Sequence, residues 1–351
     1  MNPVDSITYK EIFEQPKAFL AVNQNLEAIR KTVQDVFSRR DIGQVIFTGC
    51  GTSLYLAQTA AALFSRFNAV KAQAVPCSEL YFHPELYIGN AETLVCPITR
   101  KSVTTEVRLA IRRVHEFSNV QSLAITCCTG SAEYNEDMLL SPDAREDSVV
   151  MTKSFTSMVY LCAILAMTVS GKNGELEQMA AAMPSLCGHV LEDLDALARR
   201  IIDERPGTDL YITLGQGVFY GIANECMNKE KEMSLSNSEA YYTLEYRHGP
   251  MSLVDNNTLI LQLASQDTAD YERKLLAEMK ERGAAVAVFG EKSSDGWAFA
   301  DYSYFMESGL NDCQLSPVAV LFGQLLGFYA ARQKGLNPDS PRHLSQAIVI
   351  S

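Results

Sequence analysis

VIFTGCGTSLYLAQ, residues 45–58, is the stretch on which the fold turns. An apolar, β-branched run is broken by Gly49-Cys50-Gly51, and a helical pattern follows. An unbroken apolar strand belongs in a parallel sheet covered on both faces. Strand, glycine turn and helix together make one βα unit. The same pattern returns in LYITLGQGVFYGIAN, residues 210–224, where Gly215 and Gly217 repeat Gly49 and Gly51 at a spacing of 166 residues. TLVCPIT at 93–99 matches TLILQLA at 258–264, and VQSLAI at 120–125 matches AVAVFG at 285–290, both at a spacing of 165. Three elements in order at one nearly constant spacing predict two copies of an α/β domain, each a parallel sheet flanked by helices. Two unrelated α/β halves of similar composition are the alternative. The expected organisation is N-terminal helices over 1–40 that pack on the first domain, a first domain over 41–175, a helical linker over 176–205, and a second domain with a C-terminal site loop over 206–351.

The totals narrow the function. The chain has 351 residues, 47% of them hydrophobic, enough to build two cores. A formal charge of −12 disfavours nucleic acid as a partner, because phosphate contacts need a basic face. A small anion remains possible in a locally positive pocket. Nine cysteines, without a CxxC pair or metal-like spacing, point to a reducing compartment and to no metal. The polar start MNPVDSITYKEIFEQ is unlike a signal peptide, and the apolar run Met158–Val169 is too short to span a bilayer. A cytoplasmic protein that binds no membrane is expected. Gly51 is followed by Thr52-Ser53-Leu54 without a third glycine, so no nicotinamide fingerprint and no cofactor are expected.

Two loops carry the binding candidates. Gly49–Ser53 opens a helix, where free N–H groups and the positive dipole end suit an anion or sugar hydroxyls. Thr52 and Ser53 add hydroxyl donors. A tight turn alone would explain the glycines, and simple N-capping the hydroxyls. The second copy, Gly215-Gln216-Gly217-Val218-Phe219, lacks both hydroxyls and is expected to be scaffold. Thr99-Arg100-Lys101-Ser102-Val103-Thr104 ends the next strand of the first copy. Carboxyl-end loops of neighbouring parallel strands line one crevice, so both loops are expected to face one ligand. Glu225, Lys229 and Glu232 recur at i, i+4 and i+7 and share a helix face. A solvated charged face is the alternative, and it suits Glu230 and Lys231. His248, before Gly249-Pro250, lies in a turn, where either a functional or a structural histidine would fit.

GCGTS at 49–53, SEL at 78–80, ITRKSVTTE at 98–106, SVVMTKSFTS at 148–157, ANECMNKEKE at 223–232, SEAYYTLEYRHGP at 238–250 and GLNPDSPRHLSQ at 335–346 form an ordered set. Together they resemble the double sugar-isomerase (SIS) domain family. That family includes the isomerase half of glucosamine-6-phosphate synthase, glucosamine-6-phosphate deaminases and related phosphosugar isomerases. The resemblance implies two tandem nucleotide-fold-like SIS domains, an anionic small sugar as ligand, and a homodimer with shared active sites. It places Glu232 as the glutamate that moves a proton between C1 and C2, and His248 as the ring-opening histidine. It places Cys50, Gly51, Thr52, Ser53, Thr99, Arg100, Lys101, Ser102, Thr104, Val149, Lys229 and Gln346 around the sugar. A carboxylate suits enediol chemistry because one base can serve both carbons, and histidine is the natural titrating partner.

The chain departs from that family at two places. The family usually has serine, glycine and an acid or amide where this chain has Lys101, Ser102 and Val103. Its C-terminal lysine falls on Gln346, which cannot form an imine. Plain aldose–ketose isomerisation of a sugar with an anionic C6 group is therefore the expected activity, phosphate first and sulfonate second. Lys101 is the expected source of the missing positive charge, unless it points to solvent. An amino-sugar-phosphate deaminase, a deglycase, and a non-catalytic sugar-phosphate sensor are the alternatives. A glutamine-hydrolysing domain is not expected ahead of the first SIS unit.

Overall fold

The computed structural model describes residues 3–130 and 137–350. Its first sheet contains β1 (Gln44–Gly49), β2 (Lys71–Pro76), β3 (Thr93–Thr99), β4 (Val120–Thr126) and β5 (Asp137–Leu140), in the order β2-β1-β3-β4-β5. Its second contains β6 (Leu210–Gly215), β7 (Asn237–Tyr241), β8 (Thr258–Leu263), β9 (Ala285–Gly290) and β10 (Tyr302–Phe305). Read from β7, the order is β7-β6-β8-β9-β10, the first sheet's order repeated strand for strand. Strand pairing is parallel in both sheets. The fold is thus α/β with two matching parallel sheets, as the spacing of the apolar runs predicts. The central strands β3 and β8 are buried along their whole length, which is why they lack polar alternation.

The chain divides into two compact units. One gathers residues 14–130, 137–147, 151–184 and 345–350 around the first sheet; the other gathers 3–13, 148–150 and 185–344 around the second. In the first, Ile46, Val95, Val107, Ile111 and Leu80 share a core. In the second, Ile212, Ile260, Leu276, Val286 and Trp297 do the same. Residues 3–13, expected on the first domain, group with the second sheet. Asp339 holds them there, accepting from Ser6 Oγ at 2.7 Å, Thr8 N at 2.8 Å and Ile7 N at 2.9 Å. The stretch read as a linker lies in the helix Asn173–Glu204, with Pro184 in its interior. The helix Lys153–Val169 is apolar because it is buried on nearly every side. Among the described residues no helix is long and apolar enough to cross a membrane.

The glycine turns have a steric cause. A Cβ on Gly49 would sit 2.6 Å from the backbone of Ser53, and one on Gly215 would sit 2.5 Å from Phe219 O. Each next glycine has positive φ, +55° at Gly51 and +57° at Gly217. Backbone geometry alone therefore requires all four, and the glycines carry no ligand information. Glycine also sets a helix pair in the second unit. A Cβ on Gly323 would meet Cys226 Sγ at 2.5 Å, and one on Gly327 would meet Lys229 O at 2.9 Å. The helix Leu321–Gln333 thus packs directly on the helix Phe219–Ser234. Gly327→Ala should force the pair apart and destabilise the protein by about 1–3 kcal/mol. An unchanged urea midpoint would show that the pair is not held this way.

Candidate functional site

The turn after β1 starts the helix Thr52–Phe67, with Gly51 in the capping position. Thr52 and Ser53 are therefore its first two helical residues and not its caps. Both are nearly buried, at 7% exposure, and Cys50 is half-buried. The turn after β3 is closed by Thr99, whose Oγ1 accepts from Ser102 N at 3.1 Å. Ser102 has φ +61°, a conformation that favours glycine. Glycine is the residue that the resemblance places there. Ser102 is held from beside by Cys128 Sγ, 3.6 Å from its Oγ. Thr104 precedes the helix Thr105–Val114 without capping it through its side chain.

Arg100, Lys101 and Gln346 form one cluster. The Arg100 guanidinium is buried and reaches Glu146 Oε2 at 3.1 Å and the Gln346 carbonyl at 2.8 Å. Lys101 Nζ donates to Gln346 Oε1, and Gln346 Nε2 donates to the Asp147 carbonyl at 2.5 Å. Lysine at 101 and glutamine at 346 are therefore in direct contact across 245 residues of chain. The cation missing at one position stands at its neighbour. Glu146 organises this cluster, and sequence reasoning missed it. It is buried and accepts from Thr152 N at 2.6 Å and Ser154 N at 3.0 Å, at the start of the helix Lys153–Val169. No spacing rule marks it, because its role comes from being buried beside a helix start.

In the second unit, the helix Phe219–Ser234 carries the ionic row. Lys229 is fully buried and lies 2.9 Å from Glu225 Oε1 and 2.5 Å from Glu232 Oε2. Burial works against its ammonium, but the two carboxylates outweigh burial and hold its pKa above the ordinary lysine value. Glu225 is fully buried, whereas the Glu232 side chain is 22% exposed. Glu232 is thus the member of the row that solution can reach, and Lys229 fixes its carboxylate. His248 follows the 3₁₀ turn Leu244–Arg247, its N–H bonded to Glu245 O at 3.0 Å, and it is exposed. Gln216, in the second glycine turn, accepts from Thr243 N at 3.2 Å and so braces the segment that leads to His248. Val149 is half-buried and groups with this unit.

One residue departs from its sequence reading. Glu230, read as part of a solvated face, is only 3% exposed, and burial raises its pKa to about 8. Lys231 is exposed as expected.

Residues 211–303 match the family described as SIS domain. That stretch of the second unit is a SIS domain. The chain is 29% identical over 354 residues to the D-galactosamine-6-phosphate deaminase AgaS of a Shewanella species, covering 95% of this chain and 87% of that protein. It is 28% identical over 373 residues to the glutamine–fructose-6-phosphate aminotransferase of Acidithiobacillus ferridurans, spanning all of this chain but only 60% of that relative. A solved glucosamine-6-phosphate deaminase from Thermotoga maritima is 27% identical with a TM-score of 0.77, over 98% of this chain and 100% of that one. The tagatose-6-phosphate ketose/aldose isomerase of Escherichia coli has a TM-score of 0.86 at 22% identity, over 100% of this chain and 98% of that one, a likeness of fold. The SIS relatives are phosphosugar enzymes of the isomerase and deaminase type.

The Glu230 carboxyl binds its proton more tightly when folded than when unfolded, where it titrates near 4.5. Its contribution to stability is complete below about 4.5 and is lost as pH rises through about 8. Glu230→Gln should therefore raise the melting temperature most above about pH 8 and little near about pH 5. A gain of the same size at both pH values would contradict the assignment.

Proposed function

We propose that this protein interconverts an aldose and a ketose that carry an anionic group at C6, phosphate first and sulfonate second. The observation that carries the reading is the reachable Glu232 carboxylate, with Oε2 held 2.5 Å from a fully buried Lys229. A base that serves two adjacent carbons must stay in one place while the proton moves, and this ionic row gives Glu232 that fixity. Glu232 takes the proton from C2 of the open-chain aldose, leaving an enediol. It returns the proton at C1 while a hydroxyl proton passes from O2 to O1. The step is redox-neutral. His248 assists ring opening, and its exposure suits a homodimer in which it serves the other copy's sugar. Thr52, Ser53, Thr99, Thr104 and Lys101 bind the sugar and its anion.

Amino-sugar-6-phosphate deamination is the second reading. It is favoured by two relatives named as amino-sugar-6-phosphate deaminases that match nearly the full chain. It uses the same proton transfer but releases ammonia.

Glu232→Gln should lower turnover by about 10²–10⁴-fold while ligand-induced thermal shifts persist. Solvent-deuterium exchange at C2 of candidate 6-phospho and 6-sulfo sugars reads the chemistry directly. Exchange that survives in Glu232→Gln would remove Glu232 from the mechanism. Ammonia release from a 6-phospho amino sugar would select the second reading. Lys101→Ala should raise KM about tenfold, as expected for one charge-assisted hydrogen bond. An unchanged KM would remove Lys101 from the anion site.

A further inference from the structure

The Gly49–Ser53 turn carries one thiol of a pair, and the start of the helix Cys77–Phe82 carries the other. Gly49 and Pro76 are partners in the register of β1 and β2, so the next residues, Cys50 and Cys77, leave adjacent parallel strands side by side. Neighbouring strands run about 4.8 Å apart, inside the Cα separation of roughly 4.4–6.8 Å that a disulfide spans. The two thiols hydrogen-bond to each other. Thr48 Oγ1 lies 3.3 Å from Cys77 Sγ and fixes its direction. Cys50 is half-buried and can be reached from solution, whereas Cys77 is fully buried behind it. The bond between the thiols pushes Cys50 above and Cys77 below the ordinary thiol value. The difference in exposure, not in acidity, makes Cys50 the thiol that meets the reagent and Cys77 the one that resolves the product. Another pair, Cys96 and Cys162, is buried on both sides and gives a reagent no entry.

We propose that Cys50 and Cys77 are a reversible redox-modification site, joined into a disulfide by exchange with a low-molecular-weight disulfide R–S–S–R. The Cys50 thiolate, its proton having passed to water, attacks one sulfur of R–S–S–R. This forms Cys50–S–S–R and expels RS⁻. The Cys77 thiolate then attacks the Cys50 sulfur and expels the second RS⁻. The two cysteines lose two protons and two electrons in all, and these appear in two R–SH. The bond ties the middle of the Gly49–Ser53 turn to the start of the helix Cys77–Phe82. This consequence rests on the proposed sugar site: the bridged form should bind the sugar anion about tenfold more weakly.

The full chain is treated with oxidised glutathione, digested without reductant and mapped by mass spectrometry. A Cys50–Cys77 linked peptide that disappears with dithiothreitol is expected. Cys77→Ser keeps the hydrogen bond to Thr48 and should instead stop at a glutathione adduct on Cys50. A wild-type protein that also stops at that adduct, or does not react, overturns the proposal. Thermal shifts with glucose 6-phosphate and fructose 6-phosphate are recorded on reduced and bridged protein. Equal shifts in the two forms overturn the switch. A reduced protein that binds no tested sugar, yet still yields the linked peptide, overturns the sugar-site reading and upholds the disulfide.

Discussion

The approach of a helix onto the end of its own strand is the constraint from which both units are built. At Gly49 and Gly215 the first turn of the following helix leaves no space for a Cβ. That contact aims each helix start at the carboxyl edge of its sheet. In the first unit it places Thr52 and Ser53 in the first turn of the helix; in the second it places Phe219 at the head of the helix that carries the ionic row. The same steric rule thus yields a polar loop in one copy and a structural one in the other. The difference lies in the side chains that follow the glycines.

The ionic row of the second unit hangs on a buried cation. An ammonium with no solvent contact persists only beside carboxylates, and Lys229 has two. It is also locked from behind, because the helix Leu321–Gln333 touches its backbone at Gly327. Glu232 therefore inherits a fixed position from packing on one side and from charge on the other. A solvated surface pair would give neither, since exposed ion pairs are worth little and wander.

The doubling of one parallel α/β unit was legible because spacing survives even where identity does not: Gly49 and Gly215 keep their distance although Thr52 and Val218 share nothing. The shared face of Glu225, Lys229 and Glu232 was legible from helical period alone. Glu230 was not, because a charge pattern on one helix cannot reveal that a second helix covers its other side. Glu146 was silent for a similar reason: its partners Arg100, Thr152 and Ser154 follow no motif. The contact of Lys101 with Gln346 joins positions 245 residues apart, so each substitution looked like a separate loss until the fold placed them together.

The C-terminal segment adds one more consequence. Thr105 N, the first amide of the helix Thr105–Val114, donates to the Ile348 carbonyl at 3.2 Å, and Ile350 N donates to Thr105 Oγ1 at 2.9 Å. The chain thereby seats one of its own carbonyls where a helix start would otherwise greet an anion. Any anion that takes that amide must displace a tethered rival present at the high effective concentration of an intramolecular group. Affinity at this edge is then an exchange equilibrium, set as much by how firmly residues 345–350 are held as by the charge of the visitor.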